Sequence, residues 1–290
     1  MDFQMEKPVT LCWTPAIGHL VDLALQEDLG NGDVTTDILG DLGQGKGIIL
    51  CREPMVMCGL PVIEWVLDRV GLGLSLERSV QEGEEVKTGA VLAQIHGSLD
   101  AILRIERTLL NFLMRLSGVA TLARRYRNAV QGTGARIVDT RKTMPGWRIL
   151  DKYAVRIGGG DNHRADLGSG ILIKDNHIAA CGSVGAAVRL ARERAPHPLR
   201  IEVEVESVAA AQEAIDAGAE ILLLDNMTPD QVREAVQAIN GRALIEVSGG
   251  VTLQTVRFFA EAGAQIISVG ALTHSVPAVD LSLEIEGIQP

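Results

Sequence analysis

The chain has 290 residues, 47% apolar, 22% charged and only 3% aromatic, with 37 acidic against 27 basic side chains and a net charge of −10. That balance argues against a general nucleic-acid binder, which needs a basic footprint. No apolar run approaches the roughly 18 residues of a membrane span. A soluble protein with one large α/β domain or two ordinary ones is expected, its Ala, Val, Leu, Ile and Gly suiting buried parallel strands under Ala-rich helices.

The first residues, MDFQMEKPVT, lack a basic stretch followed by a long apolar one and do not read as a signal peptide. Residues 16–29 space Ile17, Leu20, Val21 and Leu25 as a helix, stopped by Gly30, Asn31 and Gly32. Short apolar runs over 46–58 predict strands, and 61–70 a helix with Pro61 in its first turn. Residues 74–96, with glycines at 83 and 89 and Gly97 directly after, read as a small β-sandwich or barrel pattern. Residues 99–130 are helical, with Gly118 expected to divide them into two helices. From 135 onward, apolar runs end in polar residues: RIVDTRKT, ILIKDNH, RIEVEVE, ILLLDN, ALIEVSGG and IISVGALT. Ala-rich amphipathic stretches at 207–217 and 229–239 lie between the later ones. Such βα alternation predicts an incomplete α/β barrel of the triosephosphate isomerase type, with an open doubly wound sheet as the alternative. The expected division is an N-terminal α/β sandwich domain over 1–115, a barrel over 116–275, and a tail, 276–290, packing back on the first domain. Cys12, Cys51, Cys58 and Cys181 fit no zinc or disulfide spacing and are expected as reduced, buried thiols of a cytoplasmic protein.

In such a barrel the chemistry sits where the strands end. Those ends carry Arg141 and Lys142, Lys174 and Asp175, Glu204 and Glu206, Asp225 and Asn226, and Glu246 and Ser248, with Gly249, Gly250 and Gly270 following. Between 141 and 174, seven basic residues (Arg141, Lys142, Arg148, Lys152, Arg156, Arg164, Lys174) outnumber three acidic ones, Asp151, Asp161 and Asp166. His163 adds a donor, and GGGDNHR over 158–164 reads as a binding loop. This positive focus suits anionic ligands. Glu204 and Asp225 suit either a Mg²⁺ ion with phosphate oxygens or ion pairs with Lys142 and Lys174. SGG at 248–250 and VGA at 269–271 stand where such barrels bind phosphate.

These stretches, with EDLGNGDVTT (27–36), ERTLLNFLMRLSGVAT (106–121), DTRKTMPGWR (139–148), DKYAVRIGGGDNHR (151–164) and VGALTHS (269–275), resemble the quinolinate phosphoribosyltransferase family over nearly the whole chain. Met144 and Trp147 depart from its usual pattern. The resemblance implies an N-terminal α/β sandwich, an incomplete barrel, and phosphoribosyl transfer from phosphoribosyl pyrophosphate to quinolinate with decarboxylation. It also implies a cytoplasmic homodimer in which Arg107 reaches the neighbouring subunit's site. Arg141, His163 and Arg164 would hold the quinolinate carboxylates, and Lys142 and Lys174 would lie between the two substrates. Glu204 and Asp225 would bind the ribose hydroxyls and Mg²⁺, while Ser248, Gly249, Gly250, Gly270 and Ala271 would take the 5′-phosphate. The rival readings are transfer to another aromatic acid, binding of a phosphorylated metabolite without turnover, and an aldolase using Lys142 or Lys174 as a Schiff base.

Overall fold

A computed structural model describes residues 9–71 and 73–286; the leader reading partly concerns residues 1–8, outside the described residues. The chain forms two compact units. One takes the chain up to Arg124, then Thr143–Gly159 and the stretch from His274; the other takes Arg125–Lys142 and Gly160–Thr273.

The first unit opens with α1 (Pro15–Leu29), whose N-cap Thr14 accepts the Ile17 N–H, and α2 (Val34–Leu39), capped by Asp33. After β1 (Gln44–Cys51) and β2 (Met55–Val56) comes α3 (Leu60–Val70), and after it β3 (Ser75–Arg78), β4 (Glu85–Val86) and β5 (Val91–Ser98). The half-buried Glu82 carboxylate accepts the N–H groups of Gly59 and Leu60 at the start of α3 and the Tyr153 hydroxyl at 2.8 Å. Burial raises its pKa, and these hydrogen bonds oppose the rise. A four-stranded antiparallel sheet runs in the order β12-β1-β5-β3, where β12 (Leu281–Glu286) pairs with β1 from Lys46 opposite Glu286 to Cys51 opposite Leu281.

The long helix α4 (Leu99–Ala129) is continuous, so Gly118 does not divide it. Gly118 is there for space: a Cβ would lie 2.4 Å from the Pro277 carbonyl oxygen. The other feature not foreseen is α5 (Arg148–Ile157), which packs with the first unit although it lies between strands of the second. Its fully buried Asp151 receives Arg115 of α4 through two bonds, Nε at 3.1 Å and Nη2 at 3.0 Å. Trp147, stacked on Phe112 at 4.9 Å, covers that guanidinium. Gly158 ends α5, and a Cβ there would meet the Ala120 carbonyl at 2.4 Å. The first glycine of GGG therefore serves helix packing.

The second unit holds a six-stranded parallel sheet built from β6 (Arg136–Val138), β7 (Ile171–Ile173), β8 (Ile201–Val205), β9 (Ile221–Asp225), β10 (Leu244–Ser248) and β11 (Ile266–Ser268). Its order is β6-β11-β10-β9-β8-β7. Chain neighbours from β7 to β11 are also sheet neighbours, and the last strand pairs with the first. That is barrel order with one gap, between β7 and β6, and it rules out the doubly wound alternative. The helices between strands begin on side-chain caps: α7 (Val184–Arg194) on Ser183, α8 (Val208–Asp216) on Ser207, and α9 (Pro229–Ile239) on Thr228, with Pro229 in its first turn and Gln231 completing a capping box. The shorter α6 (Asp175–Cys181), α10 (Val256–Glu261) and α11 (Ala271–His274) fill the remaining connections.

Of the four cysteines expected inside, Cys51 and Cys58 are buried, Cys12 is exposed and Cys181 is half-buried. Cys12 lies ahead of the first helix and Cys181 at the end of α6, a helix with no buried residue. Among the described residues no helix is long and apolar enough to cross a membrane.

Candidate active site

One cavity of the second unit opens where the strands end. Its walls are Thr140, Arg141 and Lys142 after β6, Lys174 after β7, Glu204 on β8, Asp225 closing β9, Glu246 and Ser248 on β10, Ser268 closing β11, and His163 and Arg164. The apolar body of each strand is buried in the sheet, so the first polar residue beyond it is delivered to the mouth.

Lys174 is the N-cap of α6, and its Nζ pairs with Glu204 Oε2. Among the described residues the Lys142 ammonium makes no ion pair, and its carbonyl accepts Thr273 Oγ1 at 2.7 Å, which ties the segment after β6 to α11. Asp225 sits beside Ser248 in register and accepts Asn226 Nδ2 at 2.7 Å. Asn226 has φ +54°, and Gly249 opposite it φ +90°. A Cβ on Gly249 would lie 2.2 Å from Asn226 Oδ1 and 2.8 Å from its backbone nitrogen, so only glycine fits this turn.

The segment 161–164 is fastened by Asp139, the fully buried residue after β6. Its carboxylate accepts Asn162 Nδ2 at 2.6 Å and the His163 N–H at 2.9 Å. His163 Nδ1 accepts the Arg164 N–H at 2.7 Å, which leaves the ring proton on Nε2. Nε2 stands 3.3 Å from Glu202 Oε2 and 3.4 Å from Glu246 Oε1, two carboxyls only 6% and 2% exposed as residues. Burial first, and then repulsion from Glu202, push Glu246 up to about 7, with His163 and Ser268 opposing. Burial and then Arg141 lower the pKa of Arg164, with Glu202 opposing.

The structure therefore gathers Arg141, Lys142, His163, Arg164, Lys174, Glu204, Asp225 and Ser248 around one cavity, with Gly249 and Gly250 directly after β10 and Gly270 and Ala271 after β11. It does not gather the whole basic stretch: Arg148, Lys152 and Arg156 ride on α5 in the first unit. Arg107 lies on α4 of the first unit with its side chain more than half exposed. Asp139 and Glu202 were not singled out in the sequence. For Glu202 a signal exists: IEVEV alternates with period two, which sets Glu202 on the face that Glu204 occupies.

Two family models match, "Quinolinate phosphoribosyl transferase, N-terminal domain" over 33–117 and its C-terminal domain over 119–284. The chain is 42% identical to the nicotinate-nucleotide pyrophosphorylase [carboxylating] of Mycobacterium leprae over 281 residues, 94% of this chain and 99% of that one. It is 40% identical to the probable enzyme of that name from Bacillus subtilis, covering 89% and 90%. The crystal structure of NadC from Streptococcus pyogenes superposes with a TM-score of 0.91 at 38% identity, covering 97% of this chain and all of that one.

Proposed function

This chain belongs to the quinolinate phosphoribosyltransferase family, and from that we infer that it transfers phosphoribosyl from phosphoribosyl pyrophosphate to quinolinate. The products are nicotinate mononucleotide, pyrophosphate and carbon dioxide, a step of NAD biosynthesis. The observation that carries this reading is the convergence of four cationic side chains and three carboxyl groups on one strand-end cavity.

Arg141 and Arg164 are fit to hold two ring carboxylates, since a guanidinium forks onto a carboxylate. His163, with both nitrogens turned to protein partners, fixes Arg164 through its backbone. The ring nitrogen attacks the anomeric carbon as pyrophosphate leaves. Lys142 and Lys174 offset the charge that develops on the leaving group, so rate comes from positioning and electrostatics without a covalent intermediate. Ser248, Gly249, Gly250, Gly270 and Ala271 offer backbone N–H groups and a hydroxyl to the 5′-phosphate. Glu204 and Asp225 match what Mg²⁺ asks of a protein, one or two carboxylates with the rest of the shell from substrate and water. Bound there with the pyrophosphate, the ion would neutralise part of its charge. Glu204, paired with Lys174 in the structure, would be one of the residues holding the ion.

The proposal includes a cytoplasmic homodimer in which Arg107, exposed on α4, serves the site of a second copy. The test is product formation by the purified protein with quinolinate, phosphoribosyl pyrophosphate and Mg²⁺. Carbon dioxide and nicotinate mononucleotide should appear in equal amounts, and nicotinate should not replace quinolinate. Ribosylation of another aromatic acid instead would overturn the substrate assignment and leave the phosphate site standing.

A further inference from the structure

A second cavity of the same unit opens at the opposite end of the sheet, where the strands begin. Arg136, Ile171, Arg200 and Ile221 line its mouth. Between the two cavities stand His163, Glu202 and Glu246. Glu246 borders both cavities, and Glu202 only the second. Glu202 Oε1 and Glu246 Oε1 are buried and have no hydrogen-bond partner among the described residues. Two desolvated carboxylates this close cannot both stay ionised without cost, and a proton on one satisfies the other. A divalent cation fits the same three ligands by number, but it would stand beside the Arg164 guanidinium, which already bears on Glu202.

The reaction needs a proton beside the ring. When the bond from C2 to its carboxylate breaks, carbon dioxide leaves and the electron pair stays on C2 beside the cationic ring nitrogen. That carbon must take one proton to give nicotinate mononucleotide. Arg141 and Arg164 hold theirs too tightly to serve, and Lys142 and Lys174 are assigned to the pyrophosphate. We propose that Glu246 is the general acid that protonates C2, and that its carboxylate regains a proton from water through the second cavity, which it borders. The idea rests on the decarboxylating reading above. The balance is one proton in from solvent and one carbon dioxide out per turnover.

The test is Glu246→Gln, which keeps shape and hydrogen-bonding capacity but cannot give up a proton. In single turnover, pyrophosphate release should stay near the wild-type rate while nicotinate mononucleotide formation falls by about 10²–10⁴-fold, the usual range for loss of a general acid. Quinolinate ribonucleotide should accumulate, the KM for quinolinate should hardly move, and the deuterium content at C2 in mixed H₂O and D₂O should change. Glu246→Asp should recover part of the rate. Should Glu246→Gln fail to fold, Glu246→Asp carries the test: its pyrophosphate release should stay near wild type while its nicotinate mononucleotide formation slows. Wild-type rates and wild-type deuterium content in Glu246→Gln, or in its absence in Glu246→Asp, would overturn the proposal. A wild-type protein that releases neither pyrophosphate nor carbon dioxide from quinolinate would instead defeat the parent reading.

Discussion

Replacing Glu246 by glutamine freezes the side chain in the shape of its neutral acid, and stability should report this independently of catalysis. In the folded chain the carboxyl is pushed up to about 7 from the ordinary 4.5, by burial and by Glu202 facing it, with His163 and Ser268 opposing. An acid raised in this way stabilises the fold while it is protonated. Its contribution is complete below about pH 4.5 and is lost as pH rises through about 7. The difference between those two values corresponds to about 3 kcal/mol, of which about 2–3 falls between pH 5 and pH 8. The measurement is thermal and urea unfolding of both proteins across that interval, subtracting one from the other so that shared titrations cancel. Wild type should lose stability relative to Glu246→Gln as pH rises, by roughly 5–10 °C in apparent Tm at 2–4 °C per kcal/mol. A flat difference, or one of opposite sign, would refute the argument that this carboxyl is held protonated.

Asp151→Ala strands Arg115, 17% exposed at its side chain, without its bidentate partner; about 3–5 kcal/mol of stability should be lost, read as a lower urea midpoint of the first unit. Arg141→Ala removes a cation about 4 Å from a substrate carboxylate in the proposed site, worth about 4 kcal/mol at an effective dielectric near 20; kcat/KM for quinolinate should fall by roughly 10³-fold, and an unchanged value would remove Arg141 from the site. Gly249→Ala forces a Cβ into Asn226, whereas Gly250→Ala, at φ +61°, meets open space. The second should cost about 1 kcal/mol and the first distinctly more, with a weaker KM for phosphoribosyl pyrophosphate; equal costs would contradict the turn geometry. Glu204→Gln should raise the Mg²⁺ concentration needed for half-maximal rate, a titration that leaves quinolinate affinity as its internal control.

Much of the barrel was legible because its strands are short apolar runs that end in charge. ILIKDNH, ILLLDN and ALIEVSGG each placed a strand and the side chain it delivers. The strand-end rule found Lys174, Glu204, Asp225 and Ser248 without any family likeness. What it could not show was depth. Glu202 and Glu246 are strand-interior positions that a parallel sheet normally fills with apolar residues, and only sheet pairing brings them onto one histidine. Nor could chain order reveal that α5 packs with a unit other than that of its flanking strands. Its amphipathic face and the Asp151–Arg115 pair make sense only once α4 lies alongside. Gly118 misled for a related reason: within a helix, glycine signals a break when read locally and a close neighbour when read in three dimensions.

The pairing of β1 with β12 joins residues 230 or more positions apart, as Arg52 meets Ser282 and Glu284. On the ribosome, β1 therefore waits with one hydrogen-bonding edge bare while almost the entire barrel is made. An unpaired edge of that kind is a template for pairing with another chain. Loss of the last strand should thus show itself first as aggregation of newly made protein and poor recovery from the cell, before any effect on the rate of molecules that do mature.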